Sequence, residues 1–95
     1  MSIVNASYQS AANAALKWLK PLESNARKQG VDAKTEILWE LGKTPTDLIV
    51  KYAKENRTDL IVIGTRGLGG FRRLLLGSVA SGVISRSSCV VMVVR

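Results

Sequence analysis

Glycines and a serine with a particular spacing are the residues of this chain best suited to hold a ligand. Gly64 and Gly67 follow an apolar run with two residues between them, and Gly77 with Ser78 comes after nine more residues. Glycine tolerates positive φ angles and lets a ligand approach the backbone closely, so a tight turn with two glycines exposes N–H groups. A helix that starts at Ser78 adds unpaired N–H groups and about half a positive charge. The loop and the helix start therefore predict a cradle for an anion, with a phosphate-containing ligand as the expected occupant.

This spacing resembles that of the nucleotide-binding members of the universal stress protein family, which carry glycine, two residues, glycine, nine residues, glycine and serine or threonine. The surrounding sequence is similar as well: residues 59–67 resemble the family's fourth strand and loop, and residues 74–79 resemble the start of its fourth helix. The resemblance extends more loosely over about 11–95. It implies that backbone N–H groups and the serine hydroxyl hold the ribose and phosphates of ATP or AMP, with or without Mg²⁺. The implied contacts are Ile63 near the base, then Gly64, Arg66, Gly67, Gly77, Ser78 and Val79.

Two other interpretations of these residues stay open. The glycines can serve only as turn and cap residues, in a dimerisation or assembly module that no longer binds nucleotide. The truncated start favours this alternative, because the family's first strand carries a carboxylate that contacts adenosine and has no counterpart here. The net charge of +7 suggests nucleic acid, but the basic residues are spread along the chain and only Arg66, Arg72 and Arg73 gather near the loop. We therefore do not expect nucleic acid to be the partner.

The residue types that the sequence lacks limit its chemistry. There is no histidine, which removes the commonest general base and metal ligand. The single cysteine, Cys89, cannot form an internal disulfide, and we expect it to be a buried and inert residue. The sequence contains no apolar run of membrane length, and we expect no targeting leader. These observations predict a cytoplasmic protein without a metal site or a membrane partner. It is not expected to be an enzyme, beyond at most very slow ATP hydrolysis, and no catalytic residue is predicted.

Apolar residues that recur every three or four positions predict two helices in the first part of the chain. The first helix runs from about Ser7 to Gln29 and contains Pro21, where we expect a kink or a restart. Gly30 then supplies a left-handed residue that ends it. The next helix begins at the Thr44–Asp47 segment, with Thr44 as cap, a proline in the first turn and an acidic residue favoured by the helix dipole. Its predicted buried face consists of Leu48, Ile49, Tyr52 and Ala53.

Three segments have the patterns of strands. Ala33–Leu41 alternates apolar and polar residues, which predicts a half-exposed edge strand. Leu60–Ile63 and Cys89–Val94 are apolar throughout, which predicts strands covered on both faces. Between these two, a third helix over about Ser78–Arg86 presents an apolar face. It contains Gly82, and close packing against the sheet would offset its cost of up to about 1 kcal/mol relative to alanine.

Alternating helices and strands predict an α/β fold with parallel strands and right-handed crossovers. The resemblance implies a Rossmann-like three-layer sandwich, similar to the adenine nucleotide alpha hydrolases. Here it forms one domain over residues 1–95, truncated at the N-terminus to about three strands and three helices. Because the family's first two strands are missing, we expect Ala33–Leu41 to pair directly with Leu60–Ile63, with a strand from a partner chain as the alternative. Relatives often dimerise through their last strands, so a homodimer through Val90–Val94 is expected.

Overall fold

The computed structural model describes residues 3–64 and 77–94 of the chain, and side chains from residue 9 onward. Residues 1–39 and 40–95 form two compact units. The elements in chain order are α1 (Ile3–Lys28), α2 (Pro45–Glu55), β1 (Leu60–Gly64), α3 (Ser78–Arg86) and β2 (Val90–Val94). No helix among the described residues is sufficiently long and apolar to span a membrane.

The first unit is built on α1, whose apolar periodicity gives an amphipathic helix of 26 residues. It starts earlier than the sequence predicts and passes through Pro21 as one helix, so the expected restart is wrong. A proline removes one backbone hydrogen bond, and the good helix formers on either side maintain the helix. The predicted end is confirmed: Gly30 has a φ of 84°, and its N–H donates to Arg27 O while the N–H of Val31 donates to Ala26 O, each at 3.0 Å. These two bonds form a Schellman motif, which pairs carbonyls that the last turn leaves open.

The segment after α1 contains no strand between residues 31 and 40, so the predicted edge strand Ala33–Leu41 is wrong. Side chains of α1 bind this segment instead. Glu23 Oε2 accepts hydrogen bonds from the Thr35 N–H at 3.1 Å and from its hydroxyl at 2.5 Å, and Arg27 Nε donates to Ala33 O at 3.2 Å. The alternation survives in the burial of this segment, with Ala33, Thr35 and Ile37 half-buried between exposed neighbours. Alternation records which side chains are covered, but a strand also needs a neighbouring strand for its backbone groups.

The second unit begins with a capping box at α2. Thr44 Oγ1 accepts the Asp47 N–H at 3.2 Å, and Asp47 Oδ2 accepts the Thr44 N–H at 3.0 Å, with Pro45 in the first turn. The predicted cap is thus confirmed, and reciprocal capping satisfies two donors that the helix start leaves open. On the predicted inner face of α2, Leu48, Ile49 and Tyr52 are half-buried and Ala53 is buried.

The sheet of the described residues contains two strands, β1 and β2, which are parallel as predicted. Leu60 pairs with Val90 and the register continues to Gly64 with Val94, and α3 makes the connection. The expected pairing of Ala33–Leu41 with Leu60–Ile63 is therefore wrong within the described chain. Inward side chains of the sheet, α2 and α3 form one core: Ala53, Ile61 and Val83 at its centre, with Ile49, Ile63, Val79, Cys89 and Val91 packed against them.

The opposite face of the sheet is apolar and exposed. Its side chains are 45–69% accessible to solvent, so the prediction that both strands are covered on both faces is wrong. The reason is topological: α2 and α3 contribute to the same core and therefore lie on the same face. We call this surface the open sheet face; it consists of Leu60, Val62, Val90, Met92 and Val94.

Candidate functional site

The candidate site lies where α3 begins, after the end of β1. Gly77 is the N-cap residue of α3, with φ −63° and ψ 160°, and it makes no side-chain cap hydrogen bond. Its carbonyl accepts the Ser81 N–H at 3.0 Å, which is the first bond of the helix. The N–H groups of Ser78, Val79 and Ala80 precede that bond and have no partner within the helix. With no acidic residue in the first turn, this end of α3 suits an anion.

The structure brings part of the predicted site together through its core. Ile63, next to the end of β1, and Val79, in the first turn of α3, both pack against the core of Ala53, Ile61 and Val83. Gly64 and Ser78 are the exposed neighbours of these two anchors. The predicted contacts Arg66 and Gly67, like the nearby Arg72 and Arg73, lie outside the described residues. The predicted contacts that the structure describes are thus Ile63, Gly64, Gly77, Ser78 and Val79.

A contact between α2 and α3 that the sequence did not predict supports this helix end. A Cβ atom at Gly82 would lie 2.8 Å from Thr46 Cγ2 and 2.9 Å from Thr46 Oγ1. The expected close packing of Gly82 is therefore present, but its nearest neighbour is a side chain of α2 and not the sheet. The hydroxyl of Thr46 also donates to Val79 O at 3.5 Å, one residue after Ser78. Glycine inside a helix was the only signal for this contact in the sequence, and it did not identify the partner.

Asp47 forms a second link between the two helices. Its Oδ1 accepts a hydrogen bond from Arg86 Nη1 at 2.7 Å, while Oδ2 accepts from the Thr44 backbone. The Arg86 guanidinium, followed by the backbone N–H and hydroxyl of Thr44, holds the pKa of the Asp47 carboxyl far below its usual range. Asp47 is therefore charged at neutral pH and joins the first turn of α2 to the last turn of α3. The sequence places Asp47 at a helix cap but gives no sign of this ion pair, since nothing local connects residues 47 and 86.

Basic side chains near this link line a shallow groove of about 260 Å³. Lys43, Lys51, Lys54 and Arg86 face two carboxylates there, those of Glu40 and Asp47. Both carboxylates are already engaged, because Lys51 Nζ lies 3.4 Å from Glu40 Oε2 and Arg86 contacts Asp47. The groove therefore keeps a positive balance. Among the described residues no group of three or more histidine, cysteine or acidic side chains could hold a metal ion.

Comparisons with known proteins agree with this architecture. The family model "Universal stress protein family" matches residues 3–95. A universal stress protein of Methanocaldococcus jannaschii is 43% identical over 77 residues, which cover 81% of this chain and 44% of that protein. The universal stress protein YxiE of Bacillus subtilis is 39% identical over 80 residues, 84% of this chain and 52% of the relative. The chain therefore spans about half the length of the curated relatives it matches. No solved structure matches it at a comparable level of significance.

The matched region includes both units of the chain and the start of α3 with its Gly77–Ser78 pair. The parallel β1–α3–β2 arrangement is consistent with a small α/β fold of this kind. This chain belongs to the universal stress protein family.

Proposed function

We propose that this chain is a regulatory module of the stress response that binds ATP or AMP. Family membership implies the role in the stress response, and the anion-binding character of the start of α3 supports nucleotide binding. The observation that carries the proposal is the glycine cap at Gly77, which offers the first N–H groups of α3 no acceptor from the N-cap side chain. A phosphate group offers acceptors of the required charge at this place.

The chain's own residues have distinct roles in this proposal. The N–H groups of Ser78 and Val79 bind phosphate oxygens, and the exposed Ser78 hydroxyl adds one further donor. Ile63 is expected beside the base and Gly64 beside the ribose. Arg66 and Gly67 complete the predicted contacts, and Mg²⁺ would enter with the phosphates of the nucleotide.

We propose binding without efficient hydrolysis. The chain contains no histidine, and the sequence places no acidic residue at the glycine loop, residues 64–67, to activate a water molecule. The described start of α3 likewise carries no acidic side chain. Stabilisation of phosphate charge alone would leave hydrolysis very slow, so the nucleotide acts as a bound signal.

Thermal unfolding with and without ATP tests the proposal. A ligand that binds only the folded state at a hundredfold excess over Kd stabilises it by about 2.7 kcal/mol, which raises Tm by about 10–20 °C for a domain of this size. Gly67→Val should abolish the shift by blocking the backbone, and Ser78→Ala should reduce it. Ser81→Ala is the matched control, because this serine is exposed in the same helix one turn away from the helix start. A melting curve that millimolar ATP leaves unchanged would reject nucleotide binding.

A second candidate function is assembly, and the open sheet face favours it. Five apolar side chains on two adjacent strands make a contiguous patch of the kind that marks interaction surfaces. We propose a homodimer through the C-terminal strand β2, formed with or without nucleotide. Met92→Lys tests it, because Met92 is 50% exposed whereas Val91 packs against the core. Light scattering should show wild-type dimers and Met92→Lys monomers; a monomeric wild-type protein at high concentration contradicts the proposal.

A further inference from the structure

Helix α3, which begins at the candidate site, packs against α2 through an unusually close contact. A Cβ atom added at Gly82 would lie 2.8 Å and 2.9 Å from two atoms of the Thr46 side chain, and these distances are shorter than real Cβ contacts in proteins. A β-branched threonine in a helix has few rotamers and cannot move aside freely. Glycine therefore permits a separation of the two helices that any other residue at position 82 would increase.

Two consecutive residues of α2 make contacts along the full length of α3. Thr46 touches Gly82 in the middle of α3 and its hydroxyl lies 3.5 Å from Val79 O in the first turn. Asp47 binds Arg86 in the last turn. Asp47 is itself held by the capping box, so α3 rests on a part of α2 whose geometry is fixed.

The backbone N–H groups at a helix start cannot adjust one by one, because they belong to a hydrogen-bonded rigid element. Their alignment with a bound phosphate therefore depends on where the whole helix lies. We propose that Thr46 is a positioning residue for the nucleotide: its contact with Gly82 sets the place at which the Gly77–Ser78 end of α3 presents its N–H groups. This inference rests on the nucleotide function proposed above, and it adds a residue outside the glycine motif that controls affinity.

Substitutions on the two sides of the contact test this role. Gly82→Ala pushes α3 away from α2, and misalignment of about one hydrogen bond should weaken ATP binding by roughly two- to tenfold. Thr46→Ala leaves a gap at the same point. The double variant should restore ATP affinity to within about twofold of wild type, because the closest approach to the new Cβ atom at position 82 would then be 3.3 Å, from the Cβ atom of residue 46, and this tight contact is relieved by a much smaller displacement than the one at 2.8 Å. Ser81→Ala, in the same helix, is the control and should bind as wild type.

The measurements are ATP affinity by calorimetry well below the melting temperature, and the amide resonances of Ser78 and Val79 without nucleotide. A purely structural contact would change the melting temperature and leave the ATP affinity in place, whatever local shift the loss of the Thr46 hydrogen bond to Val79 O causes. We expect the amide resonances and the affinity to move together in each single variant and to return together in the double variant. If Gly82→Ala does not fold, Thr46→Ala alone must shift the same resonances and weaken binding.

The outcomes separate this inference from the function on which it rests. A wild-type protein that does not bind ATP rejects the nucleotide function, and the positioning role is then rejected with it. A wild-type protein that binds ATP, with single variants that bind equally well, overturns only the role of Thr46. Failure of the double variant to recover, when both single variants fold and bind weakly, also overturns that role.

Discussion

Replacing Val83 by alanine should strongly destabilise the second unit of the chain. Val83 is 0% exposed and lies at the centre of the core with Ala53 and Ile61. The substitution removes two buried carbon groups at about 0.8 kcal/mol each, and the cavity adds roughly 1 kcal/mol if its walls do not collapse. We therefore expect a loss of roughly 2–3 kcal/mol, which corresponds to a fall in Tm of about 10–20 °C for a domain of this size.

Urea unfolding of wild type and variant, followed by circular dichroism, measures this loss. Val90→Ala is the matched control, because it makes the same chemical change at a side chain that is 69% exposed. It should change the free energy of unfolding by less than about 0.5 kcal/mol. Both variants are compared at low micromolar concentration, where association through the open sheet face contributes least. Equal losses in the two variants would refute the assignment of the core to the face of the sheet that α2 and α3 cover.

Three further predictions concern local features. The pKa of Asp47 is lowered in the folded state, so the stabilising contribution of this carboxylate is complete above its unfolded pKa of about 3.9 and is lost as the pH falls from that value towards the lower folded pKa. In acid titrations, the difference in free energy of unfolding between wild type and Asp47→Asn should therefore narrow from pH 5 to pH 3. A constant difference would contradict the ion pair. High salt should reduce the same difference at pH 7, because the Asp47 side chain is 31% exposed. Gly30→Ala should cost about 1–2 kcal/mol in thermal unfolding because of the positive φ at this residue, and Gly30→Asn should cost less; equal effects of the two substitutions would exclude a left-handed residue there.

Signals that act within a few residues were sufficient to predict much of the secondary structure. Gly30 ends α1 because only a residue that tolerates positive φ fits that end, and Thr44 with Asp47 caps α2 because their side chains reach the nearest open N–H groups. The parallel pairing of β1 and β2 also followed from the sequence, since a helix between two apolar segments makes a crossover connection. The start of α3 at Gly77 and Ser78 was predicted in the same way, because a helix start is a local feature.

The partners of these elements were decided only by the tertiary structure. Alternation over residues 33–41 correctly indicated half-buried positions, but side chains of α1 and not a strand bind the backbone there. Right-handed crossovers did predict that α2 and α3 lie on one face of the sheet, but apolar residues on both faces of β1 and β2 could not reveal that the opposite face is exposed. The glycine at position 82 indicated a close approach of another element but did not identify Thr46 as the neighbouring residue. A sequence pattern records how much of a residue is covered, because burial selects residue type at that position. Which distant segment provides the cover depends on how the elements pack, and that information is not contained in any local stretch of the chain.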